Sequence, residues 1–237
     1  MGEYPALSGQ RLLAEIDLIA AEARPHRTLI ALGRSGAFRL LDASYRFSPS
    51  VAKRLEEIGD LFGRYGGSLD ALSWRGLALL AVTGHRPDEE AERIFRRLSL
   101  SGEPLSRLLA ARREGGPALA EAAARLAAGS PSAWAALLSG RPSETIEWAW
   151  CLSLESARSK IEWFLADGER LRPILSGDDL LSLGVPEGPL VGEFLSRLRD
   201  AKLDGTVATR EDEIALVRAW SKSPEADSRE ARASRQR

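Results

Sequence analysis

Wherever this chain carries a regular apolar pattern, the pattern repeats at three- and four-residue spacing, and a glycine or proline breaks it every ~8 to 14 residues. No convincing alternation of apolar and polar residues, the mark of a half-buried strand, runs for four residues or more. A chain written this way has one outlet. Each short amphipathic helix must bury its stripe against another helix, and tight turns return the chain each time. The expectation is an all-α fold, an array of short antiparallel helices made of a helical body and a C-terminal helical tail. No fixed-period repeat is evident, which disfavours a regular solenoid.

The helix signals are local and physical. Ser8 is placed to cap a helix whose stripe is Leu12, Leu13, Ile16, Ile19, Ala20 and Ala23. A short helix follows and ends near Gly33 or Gly36. Ser48 and Pro49 open another, with Val51, Leu55, Ile58, Leu61 and Phe62 on one face and a stop among Gly63 to Gly67. "SWRGLALLAVTG" is almost wholly apolar and reads as a buried helix. "RPDEEAERIFRRLSL" has acids in its first turn and arginines in its last, matching the helix dipole. "GEPLSRLLAARREG", "PALAEAAARLAAG" and "PSAWAALLSG" read as separate short helices. "SETIEWAWCLSLESARSKIEWFLADGERL" reads as one long helix or two closely joined ones. The last fourteen residues lack apolar anchors and read as disordered. The domain reading is a helical body over 1–140, a helical tail over 141–222 and a disordered end over 223–237.

Composition narrows the function classes. With 33 Lys and Arg against 34 Asp and Glu, the chain has no global charge to draw it to nucleic acid or an anionic membrane. Its one cysteine, Cys151, excludes a disulfide framework and points to a reducing, cytoplasmic compartment. No signal peptide is evident in the first thirty residues, and no apolar run approaches the ~18 residues that span a bilayer. His26, His85 and Cys151 form no ligand spacing, so no metal site is read.

The densest signal is "GDDLLSLGVPEGPLVG", residues 177–192. Asp178 and Asp179 fall in the first turn of a short helix, where their charge meets unpaired N–H groups. Neighbours on a helix point about 100° apart, so the pair does not chelate one ion unaided. Gly184 suits a left-handed residue after the helix, and Pro186 ends it. Pro189 then starts a second helix whose apolar face is Leu190, Val191, Phe194, Leu195, Leu198 and Leu203. Gly192 falls inside that helix at a cost of roughly 1 kcal/mol against Ala, which suggests that something approaches closely there. Two readings stay open: a tight structural corner, or a helix start at Gly188 whose N–H groups meet a phosphate. Thr209 caps a third helix. Asp212, shorter than the Glu or Gln of a full capping box, is expected to reach back poorly.

These residues carry a family resemblance. Gly177-Asp178-Asp179-Leu180, Leu183-Gly184, Gly188-Pro189-Leu190-Val191-Gly192, Leu203-Asp204-Gly205 and Thr209-Arg210-Glu211 follow one another at the spacing seen at the C-terminal end of bacterial tRNA nucleotidyltransferases, the CCA-adding and A-adding enzymes of the poly(A) polymerase group. "LSGQRLLAEIDLIAAEA" resembles, more weakly, the opening of that family's helical body. The family's catalytic head carries Gly-Gly-x-x-Arg-Asp and Asp-x-Asp, which hold Mg²⁺ for phosphoryl transfer. Neither Gly66-Gly67 nor Gly115-Gly116 is followed by Arg-Asp, and no Asp-x-Asp occurs.

The resemblance therefore implies a tRNA-binding body-tail module without catalytic residues of its own. Mg²⁺ and nucleotide would belong to the missing head, itself possible as a separately encoded partner. The alternative is a head-less helical protein-interaction module without RNA binding. Candidate RNA contacts are Gly188, Gly192, Arg197, Lys202 and Arg210, with Arg93, Arg97, Arg112 and Arg113 as weaker ones. Charge argues for restraint, since residues 176–224 hold six Lys and Arg against nine Asp and Glu. Binding there requires the cations to segregate onto one face.

Overall fold

A computed structural model of the protein describes residues 7–65 and 71–221. The expected disordered end at 223–237 and the glycines Gly66 and Gly67 lie outside the described residues. Within them the fold is all-α and no strand forms. In chain order the helices are α1 (Gly9–Ala20), α2 (Pro25–Ser35), α3 (Pro49–Tyr65), α4 (Ala71–Thr83), α5 (Asp88–Arg97), α6 (Gly102–Ala110), α7 (Gly116–Arg125), α8 (Pro131–Leu138), α9 (Ser143–Leu152), α10 (Glu155–Trp163), α11 (Gly177–Ser182), α12 (Pro189–Leu203) and α13 (Arg210–Ser221).

Packing divides the chain into two units. One is Met1–Ala127 with Leu137–Ala166, and the other is Ala128–Ala136 with Asp167–Arg237. The change from body to tail at residue 140, read from motif content, does not coincide with this packing division.

In the first unit the caps and stripes decide the elements. Ser8 caps α1, its hydroxyl accepting the Arg11 N–H at 3.3 Å. Leu12 and Ala20 are buried, but α1 stops at Ala20, so Ala23 lies beyond the helix and is exposed. Gly36, in the left-handed region at φ 85°, ends α2. Helix α3 is described to Tyr65, within the Gly63 to Gly67 stretch where the sequence places its stop. Its Leu55, Ile58 and Leu61 are fully buried, as are Leu77 and Leu80 of α4 and Phe95 of α5.

The stretch read as two helices around Gly115-Gly116-Pro117 is one helical path. A π turn over Ala111–Gly115 joins α6 to α7. Pro117 has no N–H for the helical ladder, and the widened turn directly before it absorbs the break. The two glycines serve packing. A Cβ on Gly116 would lie 2.4 Å from a Trp148 ring carbon of α9, and one on Gly115 would lie 3.0 Å from the Thr145 side chain. The tryptophan-bearing stretch is two helices, α9 and α10, separated at Ser153 and Leu154.

The second unit closes around Leu175, Leu180, Val185, Phe194, Leu198 and Val217, all buried, with Leu183, Leu190, Val191, Ile214 and Trp220 packed against them. They come from the apolar stripes of α11, α12 and α13 and from the turns flanking α11, so burial of these short amphipathic faces holds the unit together. Residues 128–136 belong to it too, tied in part by one carboxylate. Asp204, at the end of α12, accepts the Ser132 backbone N–H at 2.8 Å and the Ser132 hydroxyl at 2.7 Å.

Candidate nucleic-acid interface

The motif-bearing stretch of the second unit is a chain of caps. Ser176 caps α11: its hydroxyl accepts the Asp179 N–H at 3.2 Å, while the Asp179 carboxylate accepts the Ser176 N–H at 2.8 Å and its hydroxyl at 2.7 Å. The second oxygen of Asp179 meets the Arg210 guanidinium at 2.5 Å. The Ser176 backbone N–H, the Ser176 hydroxyl and Arg210 together hold the Asp179 carboxyl down at about 2. Asp178 beside it is exposed. Asp179 is thus spent on the α11 cap and the α13 start. Among the described residues no group of three or more His, Cys, Asp or Glu side chains is placed to hold a metal.

Two glycine turns of one design follow. At the end of α11, Val185 N–H bonds to Leu180 C=O and Gly184 N–H to Leu181 C=O, both at 3.0 Å, with Gly184 at φ 90°. At the end of α12, Thr206 N–H bonds to Ala201 C=O at 2.9 Å and Gly205 N–H to Lys202 C=O at 3.1 Å, with Gly205 at φ 71°. Both are Schellman caps, which need a left-handed residue and so favour glycine. Gly188 has the least protein-like backbone of the stretch, φ 127° and ψ −153°, and no side chain caps the helix that begins after it.

Thr209 caps α13 as expected, but the expectation that Asp212 reaches back poorly is corrected. Asp212 reaches back, accepting the N–H groups of Thr209 at 2.9 Å and of Ala208 at 3.1 Å, and its own N–H donates to the Thr209 hydroxyl at 3.2 Å. The shorter side chain suffices because it takes two neighbouring donors. Those bonds hold its carboxyl below the usual value.

The residue that sequence reading missed is Glu213. It is fully buried and accepts the backbone N–H of Ile174 at 2.9 Å and of Leu175 at 2.8 Å. The Lys202 ammonium lies 3.8 Å from its other oxygen. A buried carboxylate survives only with such partners. The signal was present: Glu213 sits four residues before Val217, on the buried stripe of α13, although its place in an acidic run suggested a solvated first turn.

The named candidates then sort by what they touch. Arg197 is exposed at its end but lies over the Trp220 ring, 4.1 Å from its centre, while Trp220 meets Phe194 edge-on at 5.5 Å. Lys202 neutralises Glu213, and Arg210 pairs with Asp179. Gly188 and Gly192 are different. A Cβ built on either would have no heavy atom within 4 Å. Gly192 is exposed, and among the described residues nothing approaches it, so the close approach expected there is not made within them.

The weaker candidates of the first unit sort in the same way. Arg112 is turned inward, with 6% of its side chain exposed. It donates to the Asp88 carboxylate at 2.8 Å, to the Thr83 C=O at 3.1 Å and to the Arg86 C=O, and so joins the end of α4 to the start of α5. Arg113 pairs with Glu92 at 2.7 Å, and Arg97 donates to the Leu7 C=O at 2.7 Å. Arg93 is exposed. Cys151 is buried, and burial pushes its thiol up to about 12, which leaves it unreactive. Among the described residues no helix is long and apolar enough to cross a membrane.

The fold is similar to part of solved CCA-adding enzymes. The chain superposes on the Thermotoga maritima CCA-adding enzyme complexed with tRNA with a TM-score of 0.64 and 18% identity, covering 91% of this chain and 52% of that one. An apo form of a CCA-adding enzyme gives 0.61 and 19% identity, covering 90% and 50%. In sequence the chain is 28% identical over 234 residues to the A-adding tRNA nucleotidyltransferase of Geobacter sulfurreducens, covering 92% of this chain and 25% of that protein. It is 38% identical over 68 residues to the CC-adding tRNA nucleotidyltransferase of Thermus thermophilus, covering 28% of this chain and 16% of that protein. No family model matches the chain. Its resemblance to bacterial tRNA nucleotidyltransferases thus extends over nine tenths of its length, while the chain spans only a quarter or less of the relatives' length and about half of the solved structures.

Proposed function

We propose that this chain is a tRNA-binding body-and-tail module of a tRNA nucleotidyltransferase, without a nucleotidyltransferase site among its own residues, Mg²⁺ and nucleotide belonging to that family's head. The observation that carries the reading is the open backbone at Gly188 and Gly192 on α12. It lies in a stretch that follows the tail pattern of these enzymes, within a chain similar to them over nine tenths of its length. Bare helical backbone lets a phosphate strand approach closely, as a side chain would not. The test is binding of labelled tRNA at low and moderate salt. Affinity that falls with salt supports the reading, and no binding in either condition overturns it.

A second reading has its own observation. Lys202 and Arg210 are engaged by Glu213 and Asp179, and Arg197 by Trp220, so the cations of the second unit are largely spent inside it. That favours a helical protein-interaction module of the same descent. Copurification together with tRNA binding decides between the two: a protein partner other than a nucleotidyltransferase head, held by a chain that binds no tRNA, supports only this second reading.

A further inference from the structure

Between α2 and α3 of the first unit runs a groove of about 390 Å³, within the size range of ligand sites. One wall carries Arg27 and Arg34 of α2, the other Glu56 and Asp60 of α3, and Ile30 and the His26 ring also line it. All four charged residues are exposed, yet no ion pair or hydrogen bond joins the two walls. Elsewhere in this unit facing charges close on each other: Arg75 on Asp17 at 2.7 Å, Arg64 on Glu162 at 2.8 Å, Arg107 on Glu144 at 2.7 Å. The open walls are therefore a departure from the rest of the unit.

The ring of His26 is fitted to this place. It lies against the backbone of Gly59, where a Cβ would stand 2.2 Å from Nδ1, and that buried nitrogen has no hydrogen-bond partner. Burial, with Arg27 nearby, lowers the His26 pKa, so the ring is neutral near pH 7 and adds no third cation.

Spacing narrows the ligand. Arg27 and Arg34 are about 10 Å apart along α2, Glu56 and Asp60 about 6 Å apart along α3. An occupant must be anionic at two separated points on one side and present N–H donors on the other. A free amino acid holds both signs within a few atoms and cannot span the arginines. A duplex hides its base edges and would press phosphates against the carboxylates. An unstacked strand meets both demands, because Asp and Glu accept from base amino groups and Arg takes phosphate.

Building on the RNA-binding reading above, we propose that the α2–α3 groove receives two successive unstacked nucleotides of an RNA strand, with phosphates on Arg27 and Arg34 and base N–H donors on Glu56 and Asp60.

The test uses the full chain, with fluorescence anisotropy of a short labelled cytidine strand and of an abasic ribose-phosphate strand of equal length. The cytidine strand is expected to bind about tenfold tighter than the abasic one, the size of one good base contact. The double variant Glu56→Ala/Asp60→Ala should bring that ratio to about one. Arg27→Ala/Arg34→Ala should weaken both strands and reduce the salt slope by about 1.4, the contribution of two single-strand phosphates. All four side chains are exposed, so circular dichroism of the variants should match the parent. A ratio of one in the parent overturns the proposal, as does a ratio untouched by the acid variant, or binding of a zwitterionic dipeptide but of neither strand. If tRNA binding persists while these results fail, only the groove assignment falls. If tRNA itself does not bind, the broader reading falls with it.

Discussion

The buried carboxylate of Glu213 holds the backbone N–H of Leu175 at 2.8 Å, 38 residues earlier in the chain. Glu213→Ala removes the acceptor for Leu175 and Ile174 and leaves a buried and a half-buried N–H unpaired. The expected cost is about 3 kcal/mol, and Glu213→Gln, which keeps one acceptor oxygen, should cost about half of that. Urea unfolding followed by tryptophan fluorescence reads both. Equal midpoints for the parent and the alanine variant would show that the bond adds nothing net.

Gly192 and Gly59 separate two reasons for a glycine inside a helix. At Gly192 the Cβ meets open space, so Gly192→Ala should stabilise the protein by about 1 kcal/mol through helix propensity alone. At Gly59 the same change drives a Cβ into the His26 ring, and the clash should outweigh the propensity gain. Thermal melts compare the two. If Gly192→Ala also weakens tRNA binding while raising the melting temperature, the glycine is kept for the ligand.

Arg112 is a structural fork rather than a surface cation. Arg112→Lys keeps the charge but cannot serve Asp88, Thr83 and Arg86 together. A loss of about 2 to 3 kcal/mol is expected from the unsatisfied carbonyls. A lysine variant as stable as the parent would show that charge alone is what the site needs.

Stability should depend on pH in two windows. Burial lowers the pKa of His26 and of His85, so the folded state binds fewer protons than the unfolded chain once pH falls below about 6.5. Stability is then lost as pH drops through the folded values and levels off below them. The Asp179 carboxyl, held at about 2, contributes stability above its ordinary value of 3.8 that disappears as pH falls from there through about 2. Melts across pH should show His26→Gln and His85→Gln each flattening the upper window and Asp179→Asn the lower. An upper window unchanged in both histidine variants would place its origin elsewhere.

Much of this was legible in the sequence. Ser8, Gly36, Pro49, Ser176, Gly184 and Pro189 act where their local chemistry puts them, because a cap or a left-handed turn is decided within a few residues. The illegible part is tertiary. Gly115-Gly116-Pro117 reads as a break, yet α9 packs so closely there that the glycines are wanted and the helical path continues. Arg112 reads as one more arginine in a basic cluster, yet carbonyls 26 and 29 residues upstream draw it inside. The α2–α3 groove depends on two helices facing each other, which no single stretch encodes.

The bond between Asp204 and Ser132 also bears on synthesis and inheritance. Ser132 leaves the ribosome 72 residues ahead of the carboxylate that receives it, so the second unit cannot finish folding until the stretch through Asp204 has been made. A gene cut between residues 136 and 167 would separate the second unit from the piece that completes it. That unit is therefore poorly suited to being shuffled as a cassette, and its neighbours in the chain are expected to travel with it.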